Sequence, residues 1–182
     1  MSANEQTSNG AILTSAELRR AWGCFATGVT IVTVRDGSDS RGMTANSFTS
    51  VSLDPPLVLV SIDQRNRTCA LLKEGERFAV SVLTEAHRAL SDRFAGRQGH
   101  DMQDHFEDVP HYLTVDGLPL ITDALATFTC RVVAVHAAGD HSLFIGQVEE
   151  FASAPGAAPL LFFSGRYARL EQTGVLHEGE IR

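Results

Sequence analysis

Apolar residues fall along this chain in short bursts, and most bursts have the length and spacing of strands rather than helices. A polar start, residues 1–13, reads as a flexible N-terminal tail. Thr14 followed by Glu17 then has capping-box spacing, and Leu18, Trp22 and Phe25 continue at helical intervals, with Gly28 as the expected stop. Residues 29–34 are β-branched throughout and predict a strand. Asp36-Gly37 turns the chain into an extended stretch, 42–53, which Asp54-Pro55-Pro56 breaks. A buried strand is expected at 57–62, a short helix from Asn66 to just before Gly75, and another strand at 78–83. Thr84 caps a helix that places Ala86, Leu90 and Phe94 on one face, with Gly96 as its stop. The polar stretch 96–110 reads as a long surface loop. Two longer strands, 125–137 and 142–151, flank the hairpin-like connection Ala138-Gly139-Asp140-His141. A last short strand covers 160–163, and residues 171–182 form a polar C-terminal tail.

Strands outnumber helices and no regular β-α-β alternation appears, so a doubly wound parallel sheet is not expected. The pattern predicts a mainly β fold: a closed or nearly closed antiparallel barrel with a few flanking α-helices, in one domain over 14–170. With 182 residues, 43% hydrophobic and 20% charged, the chain can bury one sizeable core. A net charge of −7 argues against nucleic acid or an anionic membrane as partner, since both need a basic face. No apolar run reaches membrane-spanning length. Cys24, Cys69 and Cys130 lie far apart among apolar neighbours, the pattern of buried, reduced thiols in a cytoplasmic protein.

The stretch 42–52 departs from its surroundings. Between two apolar strands, Thr44, Asn46, Ser47, Thr49 and Ser50 stand where Val and Ile are expected. Buried hydroxyls and amides without partners cost about 1–3 kcal/mol each, so something polar must meet them. Two readings remain open: an edge strand with one wet face, or a wall of small residues that admits a flat heterocycle to the backbone. Further on, Ser61, Gln64, Arg65, Asn66, Arg67 and Thr68 cluster where a strand runs into a helix, and a helix N-terminus is a seat for an anion. A solvated loop explains the same cluster. His100, Asp101, Asp104, His105, Asp108 and His111 could ligate a metal, but so crowded a loop is read as solvated and no metal site is expected. Phe162 and Phe163 are expected in the core. No G-x-G-x-x-G follows a strand, so any dinucleotide must bind outside a Rossmann site.

The run GMTANSFTSVSLDPPLVLVSI resembles the hallmark of the short-chain flavin reductases, the reductase components of two-component aromatic monooxygenases. FAVSVL, LSDRFAG, GLPLITDALATFTC, GDHSLFIGQV and PLLFFSGRY follow in that family's order, so the resemblance spans about residues 15–170. It implies an FMN-binding split β-barrel, antiparallel and of Greek-key type. It also implies hydride transfer from NADH or NADPH to FMN or FAD, a separate flavin-dependent monooxygenase as partner, and a homodimer. By the same resemblance Thr44, Ala45, Asn46, Ser47 and Ser50 would line the isoalloxazine and ribityl chain. Ser61, Gln64, Asn66, Arg67 and Thr68 would hold the flavin phosphate. Phe94 would approach the same pocket, and Tyr167 with Arg166 would close it. His141 would sit where the dihydronicotinamide is received, as a positioning residue. Thr129, His105 and the segment between Gly96 and Gly117 depart from the family pattern. A non-catalytic flavin carrier on the same barrel, or a barrel adaptor without cofactor, are the competing readings; GDHS favours the enzyme.

Overall fold

The computed structural model describes residues 14–74, 77–96, 106 and 108–170, so both tails and the site residues His100, Asp101, Asp104 and His105 lie outside the described residues. Helix α1 (Ser15–Trp22) begins at the expected capping box, with Glu17 N donating to Thr14 Oγ1 at 3.2 Å and Thr14 N donating to Glu17 Oε2 at 3.3 Å. It ends at Gly23, before the expected Gly28, because Gly28 is taken into strand β1 (Thr27–Gly28) by pairing with the C-terminal hairpin. No α1 residue is buried: Trp22 is 68% exposed, and Phe25, just beyond the helix, is 77% exposed. Cys24 beside them is exposed too, which corrects its expected burial; Cys69 and Cys130 are buried, and desolvation pushes the Cys130 thiol up to about 12.

Strand β2 (Thr30–Asp36) is paired on both sides, by β3 (Asp39–Ala45) and by a later strand. The stretch expected as one extended segment is in fact two strands, because β4 (Thr49–Leu53) leaves β3 and pairs with β5 (Pro56–Asp63). Helix α2 (Arg67–Glu74) follows, then β6 (Arg77–Val82). A single 3₁₀ turn, Glu85–His87, leads into α3 (Arg88–Phe94), so the helix expected from Thr84 starts a turn late; Gly96, at φ +68°, ends it as expected. Two three-residue strands, β7 (His111–Leu113) and β8 (Pro119–Ile121), form a hairpin that the hydropathy pattern does not betray. The long strands β9 (Ala126–Ala138) and β10 (His141–Ser153) turn on Gly139 and Asp140. Strands β11 (Leu161–Phe163) and β12 (Arg166–Ala168) complete a small sheet with β1.

The main sheet runs β3-β2-β6-β9-β10-β5-β4, antiparallel at every pairing. Its two edges, β3 and β4, are consecutive in sequence and are joined only by Asn46, Ser47 and Phe48. Laid flat, seven strands would hold those edges roughly 29 Å apart, whereas Ala45 to Thr49 can span at most about 14 Å. The sheet must therefore curl until the edges nearly meet, giving a barrel split along one seam. Thr30 Oγ1 on β2 donates to Ala45 O at the end of β3 at 2.9 Å, and from the connection across the seam Ser47 Oγ donates to Ser61 O on β5 at 2.7 Å.

Val32, Val34, Val58, Val60, Ile62, Phe78, Val80 and Phe144 fill one core cluster, to which α2 adds Cys69 and Leu72. Val29 and Ile31 face a second cluster with Leu83, Phe94, Phe106, Ile121 and Leu160. Burial on both faces explains the unbroken β-branched run of β2. The β11–β12 turn places Ser164 at φ +49° and Gly165 at φ +76°, the two positive φ angles of a tight hairpin turn. Serine tolerates this region poorly, so Ser164→Asn should stabilise the fold by about 0.5 kcal/mol, raising the melting temperature by about 1–2 °C. A melting temperature at or below the parent's would contradict the assignment.

Candidate active site

Where β3 leaves the sheet, a cleft of about 170 Å³ opens between it, α3 and the C-terminal hairpin, lined by Val29, Thr44, Asn46, Ser91, Ala95, Phe162 and Tyr167. Gly42 prepares this wall. A Cβ there would lie 2.7 Å from the Phe94 ring, so glycine lets α3 settle on β3 with Phe94 buried beneath the cleft. Thr44 Oγ1 then donates to Ser91 O at 2.7 Å, tying β3 to the helix. Opposite, Thr27, Phe162 and Tyr167 are direct cross-strand partners in the small sheet and share one face. The rings of Phe162 and Tyr167 meet edge to face at 5.8 Å. Tyr167 Oη lies 2.8 Å from Ser91 Oγ and 3.0 Å from Asp92 Oδ1, and the Arg88 guanidinium stands 5.2 Å from its ring centre. Asn46 is exposed at the mouth and makes no hydrogen bond to another described residue.

The remaining expected residues gather where β5 runs into α2. Asn66 Oδ1 accepts from Thr68 N at 2.8 Å and so caps α2, while Thr68 itself is buried. Gln64 Nε2 donates to the His141 carbonyl at 2.9 Å, and His141 pairs with Asp63 across β5 and β10. Asp140 Oδ1 lies 2.7 Å from His141 Nδ1, and this contact holds the Asp140 carboxyl below its ordinary range. Arg65 clasps Asp63 and depresses its carboxyl strongly; Arg67 reaches Asp36 at 2.8 Å, beside Arg41, the principal cause of the lowered Asp36 carboxyl. Ser47 joins the two regions: it follows Asn46 and bonds Ser61, whose partner Leu143 stands two residues from His141.

Thr44, Asn46 and Tyr167 thus share one cleft, with Phe94 directly beneath Gly42. Ser61, Gln64, Asn66, Arg67, Thr68 and His141 do not line it and gather instead around the junction of β5 with α2 and the start of β10. Ala45 instead points into the barrel core, Ser50 lies on the exposed edge strand β4, and Arg166 is exposed opposite Phe163. Val29, Ser91, Ala95 and Phe162 line the cleft without having been singled out for it; Phe162, expected in the core, packs on the second cluster with one side and walls the cleft with the other. Asp108 and His111 belong to no group of three or more metal-binding side chains among the described residues. Two aromatic rings, an apolar floor, a free amide at the mouth and the buried, unpartnered Thr27 hydroxyl suit a flat heterocycle with polar edges.

Residues 22–171 match the model of the flavin reductase like domain. An NADH-dependent flavin reductase from a Rhodococcus species is 42% identical over 165 residues, which cover 89% of this chain and 90% of that protein. The reductase component of 4-hydroxyphenylacetate 3-monooxygenase from Thermus thermophilus is 37% identical over 150 residues, 80% of this chain and 90% of that protein. Among solved structures, the NADH:FAD oxidoreductase of Streptomyces globisporus, in complex with NAD and FAD fragments, superposes with a TM-score of 0.80 at 40% identity, covering 86% of this chain and 93% of that one.

Proposed function

The chain belongs to the flavin reductase like family, and from that premise we propose that it is an NADH-dependent flavin reductase, reducing FMN or FAD for a separate monooxygenase. The observation that carries the proposal is the convergence of Thr44, Asn46 and Tyr167 on one aromatic-walled cleft. A bound flavin supplies the hydride acceptor, and the nicotinamide cofactor supplies the hydride. The chain's own part is placement. Thr44, Asn46, Phe162 and Tyr167 hold the ring, and Ser47, Ser61 and the capped start of α2 receive the ribityl and phosphate end. Arg67, though paired with Asp36, is 64% exposed, and such surface pairs are worth only about 0–1 kcal/mol, so its guanidinium can turn to a phosphate at little cost. His141, fixed by Asp140, borders the place where the dihydronicotinamide stacks. Ser50 and Arg166 would act at the rim.

A homodimer fits the same reading. An eight-residue helix is marginal alone, and α1 buries nothing in the single chain while presenting Trp22 with Phe25 and the nearby Phe163 to solvent. Ser164 N donates to Gly23 O at 2.8 Å, so this apolar patch adjoins the hairpin that carries Tyr167, and a second copy would cover it. No helix among the described residues is long and apolar enough to cross a membrane, and the exposed thiol of Cys24 suits a reducing cytoplasm.

The test is NADH oxidation with FMN and FAD compared side by side; oxidation that ignores added flavin would overturn the proposal. Asn46→Ala refines it. The side chain is exposed and makes no hydrogen bond to another described residue, so the fold should be unaffected while flavin dissociation rises about tenfold, one lost polar contact to the ring. An unchanged fluorescence titration would remove Asn46 from the site.

A further inference from the structure

The walls of the cleft are held apart by one short helix. Through Ser91, α3 takes the Thr44 hydroxyl of one wall on its carbonyl and the Tyr167 phenol of the other on its side chain, within a residue that is fully buried. Asp92, the next residue, faces the same phenol at 3.0 Å. The phenol O–H is the donor in both contacts, shared between the Ser91 hydroxyl oxygen at 2.8 Å and the Asp92 carboxyl at 3.0 Å. The phenol is thus anchored on α3, and the Tyr167 side chain lines the cleft. Its ring carries Arg88 over one face at 5.2 Å and meets Phe162 edge to face, so its plane is fixed by contacts at one face, the Phe162 ring and the phenolic tip.

We propose that Asp92 is a positioning residue: by holding the Tyr167 phenol it sets the angle and separation of the aromatic wall against which a flat ligand stacks. This rests on the flavin reading above and extends it to a residue that touches no ligand itself. The distance between Thr44 and Tyr167 is then a property of the Ser91-Asp92 pair, and loosening Asp92 lets the C-terminal hairpin swing while the barrel stays whole.

The experiment is a double-mutant cycle on the full chain, with Asp92→Ala, Tyr167→Phe, the pair together, and Asp92→Asn, read by flavin fluorescence titration, by KM against kcat for NADH oxidation, and by melting temperature. Each of the two single variants should raise flavin dissociation about fivefold, with a larger change in KM than in kcat. The combined variant should also lose about fivefold, because both changes cut the same hydrogen bond. Asp92→Asn, which keeps an acceptor oxygen, should recover most of the loss. Multiplying losses of about 25-fold in the combined variant, unaltered flavin binding in Asp92→Ala, or an Asp92→Asn variant as weak as Asp92→Ala would each overturn the proposal. Parent protein that fails to bind flavin at all would overturn the functional reading instead, and is told apart by the titration of the unsubstituted chain.

Discussion

Gly146→Ala should lower the melting temperature by about 5–10 °C, the largest stability loss expected from a single added methyl group here. The position lies on β10 two residues from Phe144, on the side that faces the barrel interior, next to a register shift against β9. A Cβ built there would stand 2.5 Å from Phe78 Cζ, 2.6 Å from its Cε1 and 3.0 Å from the Cys130 Cβ. The Phe78 ring is fully buried among Val32, Val80 and Phe144 and has nowhere to retreat. Overpacking of this kind costs about 2–3 kcal/mol, and about 2–4 °C of melting temperature follows each kcal/mol in a chain of this size. Two further variants assign the cause. Gly28→Ala, where an added Cβ meets nothing within 4 Å, should melt with the parent. Phe78→Leu placed on Gly146→Ala should recover part of the loss, because the shorter side chain vacates the space. A Gly146→Ala protein melting within a degree of the parent would show that the ring is free to move.

Gly146, together with Gly42, marks the boundary of what the sequence discloses. Gly42 and Gly146 stand inside strand patterns, where an isolated glycine signals a bulge or a close approach, yet the residue that approaches is far away in the chain. Phe94 over Gly42 and Phe78 over Gly146 are contacts of tertiary origin and leave no local trace. Period and propensity revealed the strands that are long or β-branched, such as β2, β5, β9 and β10, and the capping box of α1. They did not reveal β1, β7, β8 and β12, which have two or three residues each and owe their form to a partner strand. The polar stretch 42–53 was legible as unusual but not as two strands, because hydrophilic composition does not say that its middle crosses the seam of a barrel. Likewise, LSDRFAG pointed to Phe94, whereas the side chains that contact the cleft wall are Ser91 and Asp92 of the same run, selected by the pitch of α3. Trp22 and Phe25 have core composition and surface positions; a pattern of apolar residues announces burial without saying whether the covering surface belongs to the same chain.

His141→Ala should reduce kcat/KM for NADH about 30-fold while flavin dissociation stays within about twofold of the parent, the profile of a lost alignment contact. The backbone of His141 is secured independently of its ring: it pairs with Asp63 and its carbonyl accepts from Gln64, so truncation leaves β10 in place. The side chain is 41% exposed, which keeps the stability cost within about 0.5 kcal/mol. Asp140 gives the ring its orientation. Its carboxyl is held below the usual range by the hydrogen bond to His141, so near neutrality it is an acceptor, Nδ1 carries the proton it accepts, and Nε2 is left for a ligand. Asp140→Asn should therefore weaken kcat/KM by a smaller factor, about threefold, since an amide oxygen still accepts from Nδ1 but without charge. Hydride transfer between two stacked rings demands distance and angle rather than a strong acid, and a 1 Å misplacement can cost on the order of 100-fold. A His141→Ala enzyme with unaltered kcat and KM would reduce this histidine to a residue of the hairpin turn, and would leave the aromatic walls of the cleft to align the nicotinamide alone.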